Sequence, residues 1–376
     1  MPSERGRTGD GRDASGRRRR DAGRVARLRG VRAAVALVAL TASTASSVAA
    51  ATSGSATTPP PTVEAWIYPG NTGEPTCDVP DELSSLAAAP VALLKPQYLT
   101  IAGNGKVKVD TAAALPCNGF SPAALAGVRS AARQVYVTVS AGGRAAKAVL
   151  GNGAKGTAAL AAIEAFVTTN GLDGVDLDVE PATWTTSMWS AYTGFVTQLV
   201  GALAPSGRGV EVDLEPFTTT PWDAERYGDV AAAGAHVVVM AYDDEYGSAC
   251  GAIAPYAWLT QVVAYAQSQV PAADLTIGLP SYGYTTTSCT RVRHVTSDVP
   301  YLTMEGEPGF PSTPSAAEAL RDPGSGEIRW LSGGTFYDYV DATSLDAKLQ
   351  LVEGLGVTAV SVWSLGGEPW FTGNPG

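Results

Sequence analysis

Asp173-Gly-Val-Asp176-Leu-Asp178-Val-Glu180-Pro181 follows a turn signal at Asn170-Gly171, is short, and mixes β-branched with acidic residues. That pattern predicts a strand. Side chains alternate along a strand, so Asp176, Asp178 and Glu180 share one face while Val175, Leu177 and Val179 share the other. Three carboxyl groups in one row repel each other, and burying them is costly unless they share protons and hydrogen bonds. A row built that way suits acid–base chemistry. A solvated strand face would mix in Lys, Thr or Ser, and an EF-hand needs a longer loop with a central Gly.

Outward from this strand, short apolar runs alternate with alanine-rich stretches of helical spacing. The strand expectations are Val63–Tyr68, Tyr98–Ala102, Val135–Ser140, Gly174–Glu180, Val210–Glu215, Val237–Tyr242, Leu275–Pro280 and Val357–Trp363. Helices are expected at Ser121–Arg133, Thr157–Thr169, Thr186–Leu203, Ala224–Ala233, Trp258–Gln269 and Leu345–Leu355. Eight β/α repeats predict an α/β fold, a (β/α)8 TIM barrel with its site at the C-terminal strand ends. The proline-rich stretch Ser281–Thr335 reads as a small insertion between strands 7 and 8 that walls a cleft.

Residues 1–50 read as an export signal. A run of arginines up to Arg32 precedes the apolar stretch Ala33–Leu40 and the small-residue end Val48-Ala49-Ala50. Residues 51–62 read as a flexible Ser/Thr/Pro linker, and 63–376 as the barrel. Residues 1–50 hold 11 of the 26 basic and 4 of the 36 acidic residues, so the remainder carries 15 against 32, a net charge of −17. Such a surface repels nucleic acid and anionic membranes and tolerates neutral or cationic substrates. The expectation is a secreted monomer without cofactor.

The four cysteines, Cys77, Cys117, Cys250 and Cys289, suit disulfides in an exported chain. Three pairings are possible, and pairing successive cysteines would tie successive loops. Cys-x-x-Cys and His-x-x-x-His spacings are missing, so no metal is expected, and His236 and His294 stand apart.

The chain resembles glycoside hydrolase family 18, the chitinase-like family, and its spore-cortex and peptidoglycan glucosaminidase branch. Asp173 to Glu180 matches the family's Asp-x-x-Asp-x-Asp-x-Glu signature. Ser140-Ala-Gly142-Gly143, Met240-Ala-Tyr242-Asp243, Gly278-Leu-Pro280-Ser-Tyr282-Gly283 and Val360-Ser-Val-Trp363 resemble its third-, sixth-, seventh- and eighth-strand motifs. Tyr339-Val-Asp341 with Ser344 and Lys348 resembles the stretch before its last helix.

The resemblance implies hydrolysis of β-1,4 bonds in N-acetylglucosamine polymers, chitin or peptidoglycan, with the substrate's own 2-acetamido oxygen attacking the anomeric carbon. It implies Glu180 as general acid, Asp178 as acceptor of the acetamido N–H, Asp176 as its proton-sharing neighbour, and Tyr242 as holder of the acetamido oxygen. Asp243, Met240, Tyr68, Ser140 and Trp363 are then expected around the sugar, Ser140 and Gly142-Gly143 allowing close backbone approach. Trp66 is a further aromatic for the site or the core.

One departure stands out. Glu211, Asp213 and Glu215 form a second carboxyl row on the fifth strand, where the family carries small or apolar residues. Glu215 is therefore a candidate binding residue, or the nucleophile of a two-carboxylate glycosidase with Glu180. A carbohydrate-binding protein without catalysis is the remaining reading.

Overall fold

The computed structural model describes residues 60–67, 83, 86, 91–111, 119–247, 250–287, 297–299, 304–365 and 369–373. The expected signal segment, most of the linker, Tyr68, Cys77, Cys117, Cys289 and His294 lie outside them. All described residues belong to the unit Thr57–Gly376.

The strands are β1 (Thr62–Ile67), β2 (Val91–Pro96), β3 (Leu99–Ile101), β4 (Val107–Val109), β5 (Ala132–Gly142), β6 (Gly174–Glu180), β7 (Gly209–Leu214), β8 (His236–Met240), β9 (Leu275–Pro280), β10 (Gly283–Thr286), β11 (Ser297–Val299), β12 (Ile328–Ser332), β13 (Thr335–Tyr339) and β14 (Ala359–Leu365). Eight of them run parallel in the order β2-β1-β14-β9-β8-β7-β6-β5, and β2 also pairs with β5, closing a barrel. Outer helices are Pro122–Ala131, Gly143–Leu150, Gly153–Thr169, Thr186–Leu203, Tyr227–Ala232, Tyr256–Gln269 and Ala342–Gly354. Local chemistry marks several starts: the side chains of Ser121, Asn152, Thr185 and Asp341 each accept a backbone N–H of the first turn.

The barrel packs its outward residues against these helices. Val175, Leu177 and Val179 are buried in the main apolar cluster, as the strand alternation requires. At the lower end of the lumen, Tyr136 lies so close to Gly174 and Gly209 that a Cβ at either position would collide with its ring.

The second barrel strand is a correction. It is Val91–Pro96, whereas Tyr98–Ala102 contributes only β3, a short outer strand that leans on the end of β5 and pairs with β4. Lys95 and Pro96 end the apolar run of Val91–Leu94 and hide it as a strand. Lys95 is tolerated there because the lumen supplies carboxyl partners, and Pro96 sits at the terminus of the strand, where a missing N–H costs little. The helix Gly143–Leu150 is an addition to the sequence reading. Gly142-Gly143 turns β5 into it. A side chain at Gly142 would meet open space and one at Gly143 only ordinary contact, so close approach does not explain the pair.

Between β9 and β14 the chain builds an antiparallel sheet in the order β11-β10-β13-β12. The expected insertion is there and extends to Tyr339, past Thr335. It has its own small core of Met304, Ile328, Trp330, Tyr337 and Tyr339, in which Trp330 stacks on Tyr337 with ring centroids 4.7 Å apart. It docks through buried polar contacts. Lys348 donates to Glu327 (2.8 Å) and to the carbonyls of Ala254 (2.6 Å) and Ser325 (2.8 Å), while Glu327 accepts the N–H groups of Ile253 and Ala254. Arg321 grips Asp341 through two bonds of 2.9 Å. These contacts account for the acidic and basic residues around Asp341, Ser344 and Lys348.

Candidate active site

The carboxyl rows of β6 and β7 lie side by side. Their register sets Asp176 beside Glu211 and Asp178 beside Asp213, and parallel partners in register point to the same face. Below the mouth Asp176 and Glu211, with Glu64, surround Lys95, which is fully buried. Its Nζ lies 3.3 Å from Glu64, 3.2 Å from Glu211 and 3.9 Å from Asp176, and sits 3.9 Å from the centre of the Trp66 ring. Asp176 also accepts hydrogen bonds from Trp66 Nε1 (3.0 Å) and Thr138 Oγ1 (2.7 Å). One cation among so many carboxyls leaves some of them protonated. Burial, then Glu211, pushes Glu64 up to about 8, against the pull of Lys95. Burial also raises Asp176, and Lys95 opposes it.

Above this layer opens a cleft of about 570 Å³ lined by Asp178, Glu180, Asp213, Glu215, Pro216, Met240, Tyr242, Asp243, Asp244, Trp258 and Trp363. It lies at the C-terminal ends of β6, β7, β8 and β14, where strand ends present side chains to a common mouth. Asp178 is half-buried and shares a hydrogen bond with Glu180. Burial first, then the charge of Glu180, holds its carboxyl well above the usual range. Its Oδ1 has no hydrogen-bond partner among the described residues. Glu180 ends β6 and is exposed to the cleft.

Tyr242 follows β8 and is 7% exposed, and burial raises its hydroxyl. Asp243 adopts φ 67°, the left-handed region that Asp tolerates better than most side chains, and accepts a hydrogen bond from the Tyr282 hydroxyl. Trp363 meets Trp66 edge to face at 5.7 Å, and its peptide bond to Ser364 is cis.

Glu180, Asp178, Tyr242, Asp243, Met240, Trp363 and Glu215 thus meet on one cleft. Asp176 lies beneath it, tied to Trp66 and Thr138. Ser140 stands apart from the described cleft lining: its hydroxyl accepts from Gln97 Nε2 (3.1 Å) and contacts Thr100. Trp66 is also beneath, fully buried. Asp173 bonds the backbone N–H of Val135 at 2.8 Å, bracing β5 against β6. Tyr68 and three of the cysteines fall outside the described residues, so the disulfide pairing stays an expectation; Cys250 lies beside the insertion, its carbonyl accepting from Arg329.

Sequence reasoning missed Glu64, Lys95 and Trp258. Glu64 sits two residues before Trp66 on the lumen face of β1, a parity signal that was available. Lys95 was lost with its strand. Trp258 reaches the cleft from a helix, for which strand periodicity has no signal.

The sequence profile described as Glycosyl hydrolases family 18 matches residues 72–368. The chain is 26% identical over 196 residues to the cortical fragment-lytic enzyme of Bacillus subtilis (strain 168), a match covering 47% of this chain and 43% of that protein. It is 31% identical over 123 residues to YdhD of the same organism, named a sporulation-specific glycosylase, covering 32% and 29%. The chain therefore spans less than half the length of these curated relatives. Among solved structures, the spore cortex-lytic enzyme SleL of Bacillus megaterium QM B1551 superposes with a TM-score of 0.64 at 16% identity, covering 83% of this chain and 72% of that one. A chitinase from Chromobacterium violaceum ATCC 12472 superposes with a TM-score of 0.63 at 18% identity, covering 82% and 95%. These likenesses carry the barrel fold.

Proposed function

The chain belongs to glycosyl hydrolases family 18, and on that premise we propose that it is a glycosidase that cleaves β-1,4 bonds next to N-acetylglucosamine by substrate-assisted catalysis. The observation that carries this reading is the convergence of Asp178, Glu180, Tyr242 and Trp363 on one cleft at the barrel mouth.

Glu180 is the exposed end of the row and protonates the leaving glycosidic oxygen. Asp178 and Glu180 share a hydrogen bond. When the acetamido N–H of the substrate takes Asp178 as its acceptor, the shared proton belongs on Glu180, where the acid step needs it. The unpartnered Oδ1 of Asp178 suits that acceptor role. Tyr242 donates to the acetamido oxygen and holds it in line with the anomeric carbon. Trp363 forms the apolar floor, and Asp243, held by Tyr282, contacts the sugar edge. Residues 1–50 support export, and an extracellular glycan such as chitin or peptidoglycan suits it.

The test is a product survey on chitin oligomers and peptidoglycan. Wild-type protein is expected to release reducing ends, and Glu180→Gln to lower kcat by roughly 10²–10⁴-fold, the usual worth of a general acid. Wild-type activity unchanged by that substitution removes Glu180 from the role. Loss from Glu215→Gln as complete as that from Glu180→Gln favours the two-carboxylate scheme instead.

A further inference from the structure

Six of the eleven described residues lining the cleft are carboxyls, and none of these eleven is basic. The mechanism above uses Asp178, Glu180 and Asp243 and leaves Asp213 and Glu215, on the β7 side, without a task. Asp213 is 3% exposed, opens on the cleft, and its Oδ1 has no hydrogen-bond partner among the described residues. Glu215 is half-buried on a fixed backbone: its N–H donates to Glu225 Oε1 at 3.1 Å, and its carbonyl accepts from the hydroxyl of Tyr227 at 2.5 Å. Glu225 is 1% exposed, so a second carboxyl backs the first. Asp223 adds negative charge nearby. Lys95, the lumen cation, is engaged below with Glu64 and Glu211 and does not line the cleft.

From this geometry we propose that Asp213 and Glu215 form a subsite for a protonated amino sugar, so that the preferred glycan is an N-acetylglucosamine chain carrying glucosamine units. The inference rests on the glycosidase reading and names its substrate class. An ammonium brings three donors and a positive charge to a site built from acceptors. A neutral hydroxyl satisfies the hydrogen bonds and leaves the charge, and an anionic substituent is repelled. The acetamido group is still required beside Asp178 and Tyr242, so the free amine belongs to an adjoining sugar. Neighbouring strands are about 4.8 Å apart, an offset comparable with one sugar step along a β-1,4 chain.

The experiment is calorimetric binding to full-length Glu180→Gln protein, which holds the ligand without turning it over. The probes are fully acetylated chitopentaose and its singly de-N-acetylated isomers. At low salt at least one isomer is expected to bind about tenfold more tightly than the acetylated probe, the worth of one charge-assisted hydrogen bond. The gap should close when Glu215→Gln or Asp213→Asn is added, and narrow in high salt. Equal binding of all probes, tighter binding of the acetylated probe, no binding of any, or a preference that survives both added substitutions overturns the assignment. Reducing-end release by the wild type judges the glycosidase reading separately, because it does not depend on which pentasaccharide binds better.

Discussion

Lys95 decides how the lumen survives its own charge. Three carboxyls lie within 4 Å of its ammonium, and the Trp66 ring covers it. Removing one partner of a buried ion group usually costs about 3–5 kcal/mol, because the other charge is left without compensation. Lys95→Met is therefore expected to lower the urea midpoint more at pH 9, above the value of about 8 where Glu64 gives up its proton, than at pH 6, where Glu64 keeps it. Equal midpoints for mutant and wild type at both pH values would remove Lys95 from this role. The residue also marks where sequence reading stopped. Carboxyls at alternate positions announce a shared face, but the cation that makes the face tolerable comes from another strand, and no spacing rule connects Lys95 with Asp176.

Elements show the same division. Strands with unbroken apolar alternation, β6 and β7, were legible to within a residue, and the helix Thr186–Leu203 was read to its ends. β2 was not, because its lysine and proline look like loop chemistry until the barrel closes around them. The insertion was legible as a long proline-rich interruption, but its four-stranded pairing was not, since antiparallel partners such as β10 and β13 lie far apart in sequence. The tie between insertion and barrel is Lys348, buried with Glu327. Lys348→Met is expected to cost about 3–5 kcal/mol by chemical denaturation, again by stranding a buried charge. It should also open the insertion to limited proteolysis before the barrel. Simultaneous cleavage of both would show that they unfold as one.

At the scale of the whole molecule the raised carboxyls set the pH dependence of stability. Glu64 moves from 4.5 to about 8 through burial and Glu211, and burial also raises Asp178 and Asp213. A carboxyl whose folded value lies above its unfolded value binds more protons folded than unfolded, so stability falls as pH rises between the two values. The melting temperature is expected to decline between pH 4.5 and 8, and a flat or rising profile in differential scanning fluorimetry contradicts it. The closed barrel also fixes how the four-stranded addition is attached. Gly283 pairs with Tyr339, and the N–H of Val340 donates to the carbonyl of Tyr282 at 3.0 Å, so the chain leaves and returns through one doorway. A segment whose two ends already touch is an exchangeable cassette: a tight turn could bridge the stumps, and a sibling's version could be grafted there without rerouting any barrel strand. Such a transplant would have to carry its own counterpart to Lys348, or retire that lysine along with the piece it anchors.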